Sequence, residues 1–176
     1  MSAETPKQYH PVHVALHWVI ALFVISFLVM GSFVMSPMPN DQELIPLGIH
    51  SMLGPILAVL ILIRLATRFF FKRPAPADAG HPLLNLAGRA VHVLLYVGVF
   101  VLLFSGASLS RAYGLPDILA GKGAMPADLF VYPQRFAHGI LSNLMMALVA
   151  LHVGAALYHQ FIRKDNLLAR MWFGKK

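Results

Sequence analysis

Four long apolar stretches dominate the pattern of hydrophobic and polar positions along the chain. Each exceeds the roughly 20 residues that a helix needs to cross the hydrocarbon core of a bilayer. The first stretch contains no Asp, Glu, Lys or Arg. The pattern therefore predicts an all-α integral membrane four-helix bundle, with spans at about residues 12–35, 47–71, 83–110 and 135–162.

Turn-forming residues separate the apolar stretches. Proline, glycine and small polar residues fill the breaks at residues 36–41, 72–76 and 111–133. Gly54-Pro55 lies inside the second stretch, where we expect it to bend the helix rather than end it. The first stretch is too long for the apolar core of a signal peptide and no small-residue cleavage site follows it, so we expect it to be retained. We expect residues 1–176 to form one membrane domain.

The composition agrees with a lipid environment and narrows the chemistry. Hydrophobic residues make up 58% of the chain and charged residues only 12%. A soluble domain carries about twice that charged fraction, because its surface must be solvated. The chain has no cysteines, which excludes disulfides, thiolate metal sites, iron–sulfur clusters and a covalently attached c-type haem.

The net charge of +7 is better explained by membrane topology than by nucleic-acid binding, because of where the basic residues lie. One side of a four-span layout carries Lys7, Arg64, Arg68, Lys72, Arg73, Arg89, Arg163, Lys164, Arg170, Lys175 and Lys176. The other side carries Arg111, Lys122 and Arg135, offset by Asp41, Glu43, Asp117 and Asp128. Because cytoplasmic segments are enriched in Lys and Arg, we expect both termini to lie in the cytoplasm, and we expect no strong positive field on the outer face.

Six of the nine histidines lie within the predicted spans, where ionisable residues are costly and tend to mark function. An interhelical hydrogen bond explains one such histidine, but six together favour a shared role. Because successive spans run in opposite directions, depth sorts four of them into two levels. His50 and His138 share the outer level, and His17 and His152 share the inner level. His92 also lies in the cytoplasmic half and remains an alternative to His17.

The fourth span presents two histidines to the core of the bundle. His138 and His152 are 14 residues apart, which corresponds to about 21 Å of rise and a shared face to within roughly 40°. A histidine from another helix faces each of them. Two axial imidazoles on opposite sides of a porphyrin make a six-coordinate haem, which suits electron transfer. The spacing therefore predicts two b-type haems with histidine iron ligands, held by ligation and packing alone.

The same 14-residue offset identifies small residues in two other spans. From His17 it leads to Gly31, and from His92 it leads to Gly106. Both glycines lie at the depth opposite to the histidine, where a porphyrin edge needs room. Close packing between membrane helices explains such glycines equally well.

Two polar residues are candidates for supporting roles at the inner level. The offset from His50 leads to Arg64, a cation that either pairs with a haem propionate or extends towards the lipid headgroups. His159 follows His152 by seven residues on a similar face, and its imidazole either protonates a redox substrate or lies at the interface. We expect no chemical role for the histidines at or beyond the span ends, which are His10, His13 and His81.

In order and spacing, these residues resemble the bacterial cytochrome b561 family, which includes the superoxide oxidases. The matching elements are His17-Trp18, His50, Arg64-Leu-x-x-Arg68, His138, Leu151-His152, His159, Lys164-Asp165-Asn166 and Arg170-Met171. The resemblance covers nearly the whole chain and implies two non-covalent haems b. It implies that His17 and His152 ligate one iron and that His50 and His138 ligate the other. It further implies that His92 is not a ligand and that the cofactor-binding residues include Arg64 and Arg68.

The resemblance also implies a function at the bacterial inner membrane. Members transfer electrons between ubiquinone at the cytoplasmic side and a partner at the outer face, which is superoxide in the superoxide oxidases. His159 matches a position beside the quinone site, but this chain has His159-Gln160 where the family often carries two adjacent histidines. We therefore expect a superoxide:ubiquinone oxidoreductase in which His159 is the catalytic, proton-handling residue.

Two other functions remain open from the sequence. In one, the chain is the membrane anchor and electron-relay subunit of a larger dehydrogenase or hydrogenase, with a periplasmic electron donor docked on the outer loops. In the other, the imidazoles bind Zn²⁺ or a similar ion for transport. The absence of Asp and Glu from all four predicted spans disfavours a metal transporter. The sequence does not determine the oligomeric state.

Overall fold

The computed structural model describes residues 7–35, 39 and 42–174 of the 176-residue chain. The described residues form helices and connecting segments, with no β-strand among them. Four helices are long and apolar enough to cross a membrane: Pro11–Met35, Leu44–Phe70, Pro82–Ala112 and Pro133–Arg163. The predicted all-α membrane architecture is therefore confirmed. Asp41, Lys175 and Lys176, which entered the charge argument, lie outside the described residues.

Shorter elements extend and connect the four long helices. Helix α1, Pro11–Val29, continues into a π-helical segment, Met30–Met35. Helices α2, Leu44–Phe70, and α3, Pro82–Ala112, follow, and the short α4 covers Leu115–Leu119. Helix α5, Pro133–Leu157, runs into a second π-helical segment, Tyr158–Arg163, and a 3-10 helix covers Leu167–Met171.

Proline and histidine define where three of the long helices begin. Pro11, Pro82 and Pro133 each stand at the start of a helix, where the backbone N–H that proline lacks has no intrahelical partner. The Nδ1 atoms of His10 and His81 accept hydrogen bonds from the backbone N–H two residues further on. These two histidines, set aside in the sequence analysis, act as N-caps.

The middle of the bundle is an apolar layer between its two ends. Its buried members are Leu28, Leu57, Ile61, Val99 and Met145. Helices α3 and α5 form the most extensive contact between described elements, and Gly98 allows them to approach closely. A Cβ atom at Gly98 would lie 2.7 Å from the Met145 Cε atom. Helix α2 continues through Pro55, as predicted.

Each end of the bundle is closed by a different structure. At the end predicted to face outwards, α4 and its flanking loops bury a second apolar cluster of Leu109, Tyr113, Leu115, Ile118 and Leu129. At the opposite end, the 3-10 helix lies across α1, and the Trp18 indole N–H donates to the Met171 carbonyl at 2.8 Å. Arg170 donates to the carbonyl of Ala75, in the loop before α3, at 2.9 Å.

Candidate functional site

The inner pair of histidines joins the first and last membrane helices. His17 on α1 and His152 on α5 have ring centroids 6.1 Å apart, with the ring planes at 74°. Both side chains are only partly accessible. The structure thus brings together the two residues that the sequence assigns to the inner level.

The outer pair of histidines joins α2 and α5. The ring centroids of His50 and His138 are 6.4 Å apart and their planes lie at 81°. On α5, the buried Met145 lies midway between His138 and His152. The apolar layer around Met145 therefore separates the two pairs along the bundle axis.

The spacing within each pair suits an iron ion between the two rings. An imidazole nitrogen lies about 2 Å from the transition metal that it ligates, so two imidazoles on opposite sides of one ion have centroids about 6 Å apart. Both pairs have that spacing. The donor set is also appropriate, since neutral imidazoles are the usual axial ligands of low-spin haem iron.

His92 is also close to the inner pair. Its ring centroid lies 5.0 Å from that of His152, with the planes at 89°. This distance is shorter than the roughly 6 Å expected for two ligands on opposite sides of one ion. The His92 Nδ1–H donates to the Gly88 carbonyl at 2.6 Å, and the side chain is exposed on the helix surface. The geometry therefore favours His17 over His92 as the partner of His152.

The surroundings of the outer pair further support the fit of a cofactor. The His138 Nδ1–H donates to the Ser105 hydroxyl at 2.8 Å, which leaves Nε2 as its unprotonated nitrogen. The Nδ1 atom of His50 is buried and has no hydrogen-bond partner among the described residues, and its ring stacks on Phe27 at 4.6 Å. Gly106, predicted to make room for a porphyrin edge, instead contacts the His138 ring, whose Cε1 would lie 3.3 Å from an added Cβ.

The two arginines lie at the end of the bundle where α1 begins. Arg64 donates to the backbone carbonyl of His13 at 2.7 Å. The guanidinium carbon of Arg68 lies 5.7 Å from the centre of the Tyr96 ring. Each arginine therefore has a protein contact, and their role towards a haem propionate stays a prediction.

A hydrogen-bonded group that the sequence analysis missed links α1 to α2 beside Arg64. The His13 Nδ1–H donates to the Thr67 hydroxyl at 2.7 Å, and this hydroxyl donates to the Arg64 carbonyl at 2.6 Å. His13 and Thr67 are both buried. No signal in the sequence identified this link, because the two residues are 54 positions apart and the pattern of apolar residues does not specify which side chains meet.

His159 lies where the last membrane helix ends. It is buried within the π-helical segment, and its Nδ1 atom lies 2.5 Å from Oδ2 of Asp165. Lys164 and Asn166 have the positive φ angles of 55° and 56°, so the chain turns sharply on both sides of Asp165. That turn brings the carboxylate back to His159. Gln160 follows, and its buried Oε1 has no hydrogen-bond partner among the described residues.

Among the described residues, one carboxyl group is buried, at the end of the bundle that carries α4. Glu43 lies just before α2 and is only 7% exposed. Burial raises the pKa of its carboxyl group, an effect that the nearby Arg135 partly offsets. Burial, followed by the proximity of Glu43, raises the pKa of Tyr113 to about 12.

Within the described part of the chain, no three His, Asp or Glu side chains cluster as a mononuclear metal site requires. His17 faces His152, His50 faces His138, and His92 lies beside His152. Each facing pair would provide two axial ligands to a haem iron.

Comparison with known proteins agrees with this geometry. A family model described as prokaryotic cytochrome b561 matches residues 8–174. Cytochrome b561 homolog 2 of Escherichia coli (strain K12) is 31% identical over 174 residues, covering 95% of this chain and 92% of that protein. Cytochrome b561 homolog 1 of the same strain is 27% identical, covering 94% of this chain and 97% of that protein. A probable superoxide oxidase CybB of Yersinia pestis is 26% identical, covering 94% of this chain and 96% of that protein.

Proposed function

The chain belongs to the prokaryotic cytochrome b561 family, and from that premise we propose that it is a di-haem quinone reductase with superoxide as its outer electron donor. The family comprises membrane proteins that bind haem b and transfer electrons. The observation that carries the proposal is the presence of two facing imidazole pairs, with ring centroids 6.1 and 6.4 Å apart, at separate depths.

In this proposal, His17 and His152 hold the inner haem, and His50 and His138 hold the outer haem. Bound haem b supplies reversible one-electron chemistry at iron, and two histidine ligands leave no coordination position for a substrate. The protein residues then fix the position of each ligand ring and exclude water from it. Arg64 and Arg68 lie at the cytoplasmic end and supply positive charge for the propionates of the inner group.

The reaction transfers two electrons and consumes two protons. Two superoxide ions at the outer face each lose one electron and become dioxygen. One ubiquinone at the cytoplasmic side gains the two electrons and two protons and becomes ubiquinol. The superoxide donor is supported by the 26% identical probable superoxide oxidase of Yersinia pestis.

His159 is the proposed proton donor to the quinone. Its Nδ1–H donates to Asp165, so Nε2 is the nitrogen available to carry and release a proton. Asp165 fixes the orientation of the imidazole ring through this hydrogen bond. Gln160, where the family often has a second histidine, offers an amide that hydrogen-bonds but does not titrate.

The proposed orientation places both termini in the cytoplasm of a bacterial inner membrane. It is supported by the basic residues at one end of the long helices, including Arg64, Arg68, Arg163 and Arg170. The same end contains His159 and Asp165. Protons for the quinone then come from the cytoplasm.

The first test is the haem content of the detergent-purified protein. We expect two haems b per chain by pyridine haemochrome, with a sharp reduced α-band. His17→Ala and His50→Ala should each retain one haem, whereas His92→Ala should retain two. A colourless wild-type protein from haem-sufficient cells contradicts the haem assignment, and loss of a haem only in the His92 variant contradicts the choice of inner ligand.

The second test separates superoxide from a protein donor. The holoprotein with ubiquinone should remove superoxide faster than either alone, producing ubiquinol in a 1:2 ratio to the superoxide consumed. No acceleration by an intact di-haem protein contradicts superoxide as the donor. A stoichiometric periplasmic subunit that co-purifies and reduces the haems would instead support the membrane-anchor function.

A further inference from the structure

Helix α3 contributes no ligand to the proposed haem sites, yet it contacts the outer ligand His138 directly. The Ser105 hydroxyl lies 2.8 Å from His138 Nδ1. The same hydroxyl donates to the Leu102 carbonyl, one turn back along α3, at 2.9 Å. The Ser105 hydroxyl uses its single proton in the bond to Leu102. In the bond to His138, the Ser105 oxygen is therefore the acceptor and the His138 Nδ1–H is the donor.

The residue after Ser105 brings α3 close enough for this bond. Gly106 faces the imidazole, and an added Cβ would lie 3.3 Å from His138 Cε1 and 3.7 Å from Nδ1. Any larger side chain would push the ring away from the α3 backbone. Ser105 and Gly106 thus both contact one edge of the His138 ring and restrict its position.

We propose that Ser105 is a positioning residue for the outer haem, holding His138 in the one tautomer and ring orientation that directs Nε2 at the iron. This inference rests on the proposed function, because it assumes that His138 is an iron ligand. It assigns to α3 a role in setting the properties of the outer haem. The second nitrogen of a metal-ligating histidine usually donates to such an acceptor, which fixes the tautomer and increases the basicity of the ligand.

The hydrogen bond has a predictable electronic effect. Donation from Nδ1–H to an acceptor increases the electron density on the imidazole, which stabilises ferric over ferrous iron. Removing the acceptor should therefore raise the midpoint potential of the outer haem. The inner haem should not respond, since His152 lies 14 residues away on α5, about 21 Å along the helix.

Three variants test this role of Ser105. Ser105→Ala removes the acceptor, whereas Ser105→Thr keeps a hydroxyl at this position. Ser142→Ala is the matched control, because Ser142 also bonds to His138 but donates to its backbone carbonyl at 2.9 Å rather than contacting the ring. The readouts are redox potentiometry, the low-temperature EPR spectrum of the oxidised holoprotein and haem content, with the outer haem assigned as the one missing from His50→Ala.

We expect Ser105→Ala to raise the midpoint potential of the outer haem and shift its EPR signal, with Ser105→Thr and Ser142→Ala close to wild type. Loss of the outer haem from Ser105→Ala alone also supports the role, because removing such an outer-shell partner commonly weakens metal binding 10- to 100-fold. Unchanged potentials and EPR signals in a di-haem Ser105→Ala protein overturn it. So does an equal effect of Ser142→Ala. A wild-type protein without haem instead contradicts the proposed function, which keeps the two failures distinct.

Discussion

The Nδ1 atom of His159 lies 2.5 Å from Oδ2 of Asp165, at the point where the last membrane helix ends. The backbone secures this contact as well, because the Asp165 N–H donates to the His159 carbonyl at 3.3 Å. Asp165 Oδ1 also accepts from the Leu167 N–H at 3.2 Å. The carboxylate is therefore held in place by the start of the 3-10 helix, and one of its oxygens remains directed at the imidazole.

Asp165→Asn should slow quinone reduction without removing haem. The variant keeps an oxygen at this position but removes the carboxylate that accepts the His159 Nδ1–H and orients the ring. Since general acid catalysis contributes about 10²–10⁴-fold, we expect a loss of turnover of at least about tenfold. The measurement is ubiquinol formation by the haem-loaded variant and by wild type under the same conditions.

Asp78→Asn is the control for the Asp165 variant. Asp78 lies on the same cytoplasmic face, and its Oδ1 accepts from the Gly80 N–H and the Asn85 amide. An asparagine preserves both acceptor contacts while removing an equal charge. Equal losses in the two variants would point to a surface-charge effect and contradict a specific role for Asp165.

The outer pairing could be predicted from depth and helical rise, whereas these left both His17 and His92 as candidates for the inner partner of His152. His138 and His152 share a face of one helix, and alternating span direction determines which residues meet them. The partners of these rings follow different rules. Ser105 is 33 residues from His138, and no periodicity specifies that their side chains meet. The tertiary packing of α3 on α5 decides that contact.

For His13 and His159, position along a span did not reveal the burial or the partner of the side chain. His13 lies at the very start of α1 and was assigned no role, yet it is only 6% exposed because α2 packs over it. His159 was predicted to lie towards one end of the fourth span, but its partner could not be foreseen. That partner depends on two residues, Lys164 and Asn166, that adopt left-handed backbone conformations, which are uncommon for residues other than glycine.

The crossed rings of the two histidine pairs predict a spectroscopic signature of the proposed haems. The planes lie at 74° in the inner pair and 81° in the outer pair. Nearly perpendicular axial imidazoles leave two ferric d orbitals close in energy, so the largest g value of each haem should exceed that of a haem with parallel imidazoles. EPR of the oxidised protein at low temperature measures this. If both haems instead gave the rhombic EPR signals typical of parallel axial imidazoles, the rings would not have kept these orientations in the holoprotein.

Glu43 predicts a pH-dependent effect on stability at the outer end. Burial raises the pKa of its carboxyl group above the ordinary value of 4.5, so the folded protein binds this proton more tightly than the unfolded chain. The unfavourable contribution of Glu43 to stability is therefore fully present above the raised pKa and disappears as the pH falls through that pKa towards 4.5. Glu43→Gln, which mimics the neutral group, should melt at a higher temperature than wild type at pH 8.

The difference between Glu43→Gln and wild type should shrink as the pH approaches 4.5. Thermal unfolding in detergent, followed by tryptophan fluorescence, tests this across that range. Asp117→Asn provides the control, because Asp117 is an exposed carboxylate on the same side of the bundle. A melting-temperature difference for Glu43→Gln that stays constant with pH would show that ionisation of Glu43 is not its cause.

The link between His13 and Thr67 predicts an asymmetric response to mutation at the cytoplasmic end. Thr67→Val removes the acceptor of the buried His13 Nδ1–H, whose bond is 2.7 Å long. An unsatisfied buried donor costs about 1–3 kcal/mol, so the variant should lower the free energy of unfolding by that amount. The double variant His13→Phe/Thr67→Val removes the donor as well, while Phe preserves the ring stacking on Tyr9 at 5.1 Å. The double variant should therefore be more stable than Thr67→Val alone. Denaturant unfolding in detergent measures this difference. A double variant less stable than Thr67→Val would show that Thr67 does not stabilise the protein through this hydrogen bond.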